Sequence, residues 1–96
     1  MNYKELYQQK KEAEIAIWKS DIVKLKAKAS MASADAQIEM NKHIDALEKK
    51  INEGKTKLSD LIKATDEMYE SMKTNVELAW DSVKIALNET ASKIKS

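Results

Sequence analysis

Apolar residues recur along the chain at steps of three or four positions, which is the spacing of side chains on one face of an α-helix. The stripe runs from about Ile15 to Ile94, and Tyr3 and Tyr7 extend it towards the start. Most steps alternate three and four, as in a left-handed coiled coil, although consecutive steps of four at 32–36–40–44 depart from a strict heptad. The pattern predicts an elongated, all-α coiled coil.

So narrow an apolar seam needs a second stripe to pack against, because a single amphipathic helix is only marginally stable in water. We therefore predict a helix-pairing interface made of the large apolar side chains of the seam and of its alanines. Its predicted members are Trp18, Ile22, Leu25, Ala29, Ala32, Ala36, Met40, Leu47, Ile51, Leu58, Leu61, Met68, Met72, Val76, Trp80 and Val83.

Gly54 is the only glycine, and the chain has no proline. A glycine in the left-handed conformation commonly ends a helix, so Gly54 is the most visible place for the chain to turn. We predict a single coiled-coil domain over residues 1–96, folded as an antiparallel helical hairpin. Its first arm covers about 3–52, its turn lies near Gly54, and its second arm covers about 56–95.

The stretch "KAKASMASADAQ", residues 26–37, replaces the large side chains of the seam with alanine and serine. A hairpin folded about Gly54 places this stretch opposite Trp80 and Met72. Large side chains pack best against small ones, so the alanine-rich stretch is expected to receive the Trp80 region.

Two alternatives to the Gly54 turn remain open. The stripe passes through Gly54 in phase, and a glycine inside a helix costs only about 1 kcal/mol relative to alanine. One continuous helix of about 140 Å is therefore conceivable, paired antiparallel with a second copy. The other alternative is a break at Thr65, which is an N-cap residue followed by two acidic residues. That break would place Trp80 against Leu47 and Ile51.

Composition narrows the possible functions. Charged residues make up 34% of the 96 positions and aromatic residues 5%, as expected of long, exposed helices. The absence of cysteine excludes disulfides and thiol catalysis. All 17 basic residues are lysine and the net charge is +1. Nucleic-acid binding is not expected, because base and phosphate readout relies on arginine and on a clear excess of positive charge.

Candidate chemistry is sparse. His43 follows Glu39 by four residues, but two ligands without a third do not make a closed metal site. The acidic pair Glu12 and Glu14 is not expected to act as general acid and base, because long helices packed in one layer are not expected to form a cleft around it. One histidine and one glycine leave no Ser–His–Asp triad and no glycine-rich phosphate loop. We expect no catalytic residue, no metal site, no cofactor and no enzymatic activity.

Self-association is the expected partnership, as a homodimer or a four-helix bundle, because some apolar residues lie outside the seam. These residues are Ile17, Val23, Ile62, Leu78 and Ile85. A membrane surface is the less favoured partner: the segment from Met68 to Ile94 has an apolar face, but its acidic residues outnumber its lysines. The first residues lack the apolar core of a secretory signal, which predicts a cytoplasmic protein.

Two segments, "LKAKASMASADAQIEMNKHIDALEKKI" and "ELAWDSVKIALNETASKIK", resemble a family of short bacterial coiled-coil domain-containing proteins without an assigned activity. The likeness rests on Trp18, on 34–36 (Ala-Asp-Ala), on 79–80 (Ala-Trp) and on 91–93 (Ala-Ser-Lys). It implies high helix content. We expect a non-enzymatic structural or protein-interaction module. The alternative is a conditionally folded amphipathic protein that coats lipid surfaces or client proteins under stress.

Overall fold

The computed structural model describes residues 2–94, which form three α-helices and no strand. The helices are α1 (Tyr3–Ala29), α2 (Ala34–Ile62) and α3 (Asp66–Lys93). Helix α2 packs against both of its neighbours, so the predicted all-α class with hairpin-type packing is confirmed. Short turns at residues 30–33 and 63–65 reverse the chain twice, so α1 and α3 run parallel to each other and antiparallel to α2.

The bundle is about one helix long. Its principal extents are 51 × 22 × 17 Å, and a helix of the length of α2 spans about 43 Å at 1.5 Å per residue. The alternative of one continuous rod of about 140 Å is therefore wrong for this chain.

The first turn lies inside the alanine-rich stretch, where we had predicted continuous helix. Ser33 caps α2, and its side-chain oxygen accepts a hydrogen bond from the backbone N–H of Ala36 at 3.4 Å. The side-chain amide of Gln37 donates to the carbonyl oxygens of Ser30 and Ala32, at 3.1 and 3.0 Å. These bonds satisfy two carbonyls of the turn itself, so the turn closes without glycine or proline.

The predicted turn at Gly54 is wrong, because Gly54 lies within α2 and has no positive φ. Its role is to leave space for an aromatic ring. A Cβ atom built on Gly54 would lie 3.1 Å from Cζ3 of Trp80, closer than normal packing allows. Trp80 therefore packs against the C-terminal third of α2, about 26 Å along that helix from residue 37 at 1.5 Å per residue. The predicted docking of Trp80 on the alanine-rich stretch is wrong for the same reason.

The second turn is where the alternative placed it. Thr65 is the N-cap of α3, in an extended backbone conformation, and Asp66 and Glu67 occupy the first turn of the helix. Acidic side chains at this position favour the helix because they face the positive end of its dipole.

The core lies along the axis of the bundle and has one side chain per helical turn from each helix. Trp80, Ile44, Leu47, Val76 and Val83 are its largest fully buried side chains. The rings of Trp18 and Trp80 pack at 5.2 Å between centroids with a 50° tilt, an arrangement that adds to their burial energy.

The predicted pairing residues fall into three groups. Those buried between helices are Trp18, Ile22, Leu25, Ala29, Leu47, Ile51, Leu58, Leu61, Val76, Trp80 and Val83. Ala32, Ala36, Met40 and Met72 are partly buried. The prediction that Met68 belongs to the interface is wrong, because Met68 is 52% exposed and its neighbour Tyr69 is buried in the core instead. A new helix begins after Thr65, and its buried face is shifted by one residue at this point. The apolar stripe continued from α2 therefore selects Met68 in place of Tyr69.

Candidate functional site

A cleft lies between the parallel helices α1 and α3, in the half of the bundle where both helices begin. It has a volume of about 520 Å³ and is open to solvent along one side. Its walls carry aromatic rings, lysines and two carboxylates. The lining residues are Tyr3, Leu6, Tyr7, Lys10, Lys11, Glu14, Lys73, Glu77 and Lys84.

Lys11 forms the floor of this α1–α3 cleft. It is only 5% exposed, a rare burial for a lysine. Its ammonium nitrogen lies 5.3 Å from the ring centroids of both Tyr7 and Trp80. It also lies 3.4 Å from Glu77 and 3.6 Å from Glu14. Two rings and two carboxylates together replace the water that this charge gives up.

Tyrosine side chains connect the two walls of the cleft. The Tyr7 hydroxyl donates a hydrogen bond to Glu77 Oε1 at 2.5 Å, and the Lys73 ammonium donates to the Tyr3 hydroxyl at 2.9 Å. The Lys73 nitrogen also lies 4.9 Å and 5.0 Å from the ring centroids of Tyr3 and Tyr7. The hydrogen bonds of Tyr7 with Glu77 and of Lys73 with Tyr3 therefore join α1 to α3 across the cleft.

The pKa shifts of Tyr7 and Lys73 keep both side chains protonated. Burial and the bond to Glu77 raise the pKa of Tyr7 far above its ordinary value of 10.0, so its hydroxyl stays protonated. The bond to Tyr3 raises the pKa of Lys73, which stays an ammonium ion. A general base or an amine nucleophile needs the opposite shifts. The cleft therefore offers fixed charges, rings and hydrogen-bond donors.

Positive charge is in excess in the cleft. Four lysines face two carboxylates along its lining, and both carboxylates are engaged with Lys11. Lys10, Lys73 and Lys84 form no ion pair within residues 2–94. Three ammonium groups that lie along one cleft produce a positive potential able to attract an anionic ligand.

The sequence missed this cleft. Lys11 falls between Tyr7 and Ile15 on the apolar stripe, yet the pattern of the stripe assigns no role to it or to Glu77. The signal was present, because a charged residue at a core position needs a partner of opposite charge. In a parallel arrangement of α1 and α3 that partner is Glu77, but the predicted hairpin did not bring these helices together.

The residues considered for metal or nucleic-acid binding lie elsewhere. Within the described part of the chain no three His, Asp or Glu side chains come close enough to hold a metal ion, so Glu39 and His43 have no third ligand. Of the lysines in "KLKAKAS", Lys26 pairs with Glu48 at 3.1 Å. In the segment considered for lipid binding, Val76 and Trp80 are fully buried in the core.

Acid is expected to weaken the link between the walls of the cleft. The hydrogen bond from Tyr7 lowers the pKa of Glu77, and Lys11 acts in the same direction. A carboxyl whose pKa is lower in the folded state stabilises that state above its unfolded pKa, and the stabilisation is lost as the pH falls through the folded pKa. Because Glu77 is half exposed, its contribution is less than about 1 kcal/mol. Urea unfolding of the wild type and of Glu77→Gln checks this.

The wild type should be the more stable of the two at pH 7, and the difference should shrink steadily below pH 5. A difference that stays constant down to pH 2.5 contradicts the assignment. Glu53→Gln, at an exposed position on α2, is the control and should show little difference at any pH.

Comparison with models of protein families, with curated proteins and with solved structures gives no significant match to this chain. Within residues 2–94 no helix has the length and apolar character needed to cross a membrane.

Proposed function

We propose that this protein is a non-enzymatic helical module that acts by pairing its outer surface with another helix, and that a second copy of the chain is one such partner. The observation that carries the proposal is the outward face of α3. Leu78 and Ile85 lie there 63% and 59% exposed, although the core of the bundle is already closed by the other face of the same helix.

The spacing on this face is that of a coiled-coil seam. Ser71, Leu78, Ile85 and Ser92 follow one another at intervals of seven, and all four are exposed. A row with this spacing stays on one side of a slightly supercoiled helix. The row contains no lysine, so a partner can cover it without burying an ammonium group.

The row is also self-complementary. In an antiparallel pair with its two-fold axis between residues 81 and 82, Leu78 of each copy lies over Ile85 of the other copy. The terminal Ser71 then lies over Ser92, and small hydroxyl residues let the helix ends approach closely. Two-fold pairing of one patch with itself gives a closed dimer.

Such a dimer is expected to be weak. Each fully buried apolar side chain contributes about 1.5–3 kcal/mol, and association itself costs at least about 4 kcal/mol. Leu78 and Ile85 are already about 40% covered in the monomer, so the four side chains of a dimer leave a surplus of up to about 3 kcal/mol, which corresponds to a dissociation constant of about 6 mM. A partner helix with a longer apolar row would bind more tightly.

Sedimentation equilibrium between 0.05 and 2 mM tests the proposal. We expect the wild type to shift from monomer towards dimer across this range and the double variant Leu78→Lys with Ile85→Lys to remain a monomer. The matched control carries Val23→Lys and Ile38→Lys, which are 67% and 58% exposed on other faces, and it should behave like the wild type. A wild type that stays monomeric at 2 mM, or a control that loses dimers equally, contradicts the proposal.

Circular dichroism separates this proposal from the lipid-coating alternative. A module that pairs through a preformed face is helical in buffer, and its cooperative thermal transition does not require lipid. The alternative requires a chain that gains helix only on anionic vesicles.

A further inference from the structure

The α1–α3 cleft has three features that play no part in the proposed pairing of the outward face of α3 with a second copy. Its positive charge is in excess, its floor is fixed by a buried ion network, and its mouth has exposed apolar walls. Tyr3 is 65% exposed and Leu6 is 53% exposed at this mouth, beside the unpaired ammonium groups of Lys10 and Lys84.

We infer that the α1–α3 cleft binds a short acidic segment of a partner protein that carries a central apolar side chain. The carboxylates of the segment pair with Lys10, Lys73 and Lys84, and the apolar side chain lies against Leu6 and the ring of Tyr3. This inference names a second partner class on a different surface and does not depend on self-association through α3.

The charges of the cleft are arranged to meet an incoming carboxylate. Lys11 offsets one of the two carboxylates of Glu14 and Glu77, and Glu70 acts on Lys73 from the same helix. The outer lysines Lys10, Lys73 and Lys84 therefore keep a small net excess of positive charge. Lys73 is positioned by its bond to the Tyr3 hydroxyl, so part of the cost of ordering a long side chain is met before binding. Preorganisation of this kind raises affinity without adding contacts.

The dimensions fit a peptide. Between Tyr3 and Glu14 the wall formed by α1 is about 17 Å long at 1.5 Å per residue. An extended segment of about five residues has the same length at 3.3 Å per residue. The volume of about 520 Å³ accommodates several side chains of such a segment.

A peptide suits this surface better than a nucleic acid does. Nucleic-acid binding draws on many phosphate contacts along an extended basic track. Here three ammonium groups without an ion pair among residues 2–94 lie in one short cleft, the chain contains no arginine, and its net charge is +1. The apolar mouth beside the lysines is the feature that a mixed acidic and apolar segment uses.

The test is an NMR titration of the isotope-labelled full chain with the acetylated peptide Glu-Glu-Leu-Glu-Glu. We expect backbone shifts confined to residues around the cleft, and a dissociation constant that rises at least tenfold in the double variant Lys10→Glu with Lys84→Glu. Lys49→Glu with Lys57→Glu is the matched control: both positions lie on a separate surface of α2, and the net charge changes equally. Circular dichroism checks that all variants fold.

Further arms of the same titration separate the possible sources of anionic binding. Lys-Lys-Leu-Lys-Lys should produce no shifts, and Glu-Glu-Gly-Glu-Glu should bind more weakly because it lacks the apolar side chain. Equal weakening in cleft and control variants overturns the inference, since it reports net charge alone. Tighter binding of a uridine oligonucleotide, or equal binding of inorganic phosphate, overturns it in favour of a phosphate ligand. Absence of any shift at 5 mM peptide also overturns it.

Discussion

Replacing Trp80 with alanine is expected to lower the free energy of unfolding by about 3–5 kcal/mol, the cost of removing a fully buried aromatic side chain from a core that cannot collapse. Trp80 has 0% exposure. Its ring contacts Gly54 of α2, and the ring centroid lies 5.2 Å from that of Trp18 on α1. The ammonium nitrogen of Lys11 lies 5.3 Å from the centroid of the Trp80 ring. One side chain therefore joins all three helices, and its loss leaves a cavity that each of them borders.

Urea unfolding followed by circular dichroism measures this loss. A domain of this size loses about 4–8 °C of Tm for each kcal/mol, so a thermal melt should fall by at least 10 °C. Leu78→Ala is the control, because Leu78 lies two residues away on the same helix and is 63% exposed. At micromolar concentration the control should change stability by less than about 0.5 kcal/mol. A similar loss in both variants would show that Trp80 is not the centre of the core.

The helical class was predictable because the stripe reflects a local property of the chain. Side chains at steps of three and four mark the buried face of a helix whatever that face packs against. The buried residues of α2, such as Ile44, Leu47 and Ile51, follow this spacing, and so do those of α1.

The number of helices was not predictable from the stripe, because the first turn leaves it in phase and the second displaces it by only one residue, at Met68. Ala29, Ala32 and Ala36 keep the helical spacing although residues 30–33 are a turn. A turn between antiparallel helices must return the chain to the same core, so apolar residues on its two sides can mimic an unbroken helix. The evidence for the first turn was Ser33 before Asp35, an N-cap signal.

The α1–α3 cleft was not predictable from local sequence patterns, because it is formed by residues that are far apart in the chain. Tyr7 and Glu77 are 70 positions apart, and they meet only because two turns bring α1 and α3 side by side. A two-helix hairpin about Gly54 has no third helix to flank α1, so it cannot form this site. The position of each turn therefore decides which side chains become functional neighbours.

Gly54→Val is expected to destabilise the protein by about 2–3 kcal/mol, although valine forms helix better than glycine does. The Cβ atom alone would lie 3.1 Å from Cζ3 and 3.5 Å from Cε3 of Trp80. The indole has little room to move, because it is fully buried and its ring packs against that of Trp18. Overpacking of this kind forces side chains out of their preferred rotamers and typically costs about 1–3 kcal/mol.

A double-mutant cycle with Trp80→Leu tests the cause and not only the size of the effect. Leucine leaves space above position 54, so Gly54→Val in that background should be neutral or stabilising, and the sign of its effect should change. The interaction energy between the two sites should reach about 2–3 kcal/mol, the upper range for residues in direct contact. If glycine were needed for backbone flexibility, the loss would be the same in both backgrounds, and the close approach of ring and helix would not explain why the chain carries its only glycine here.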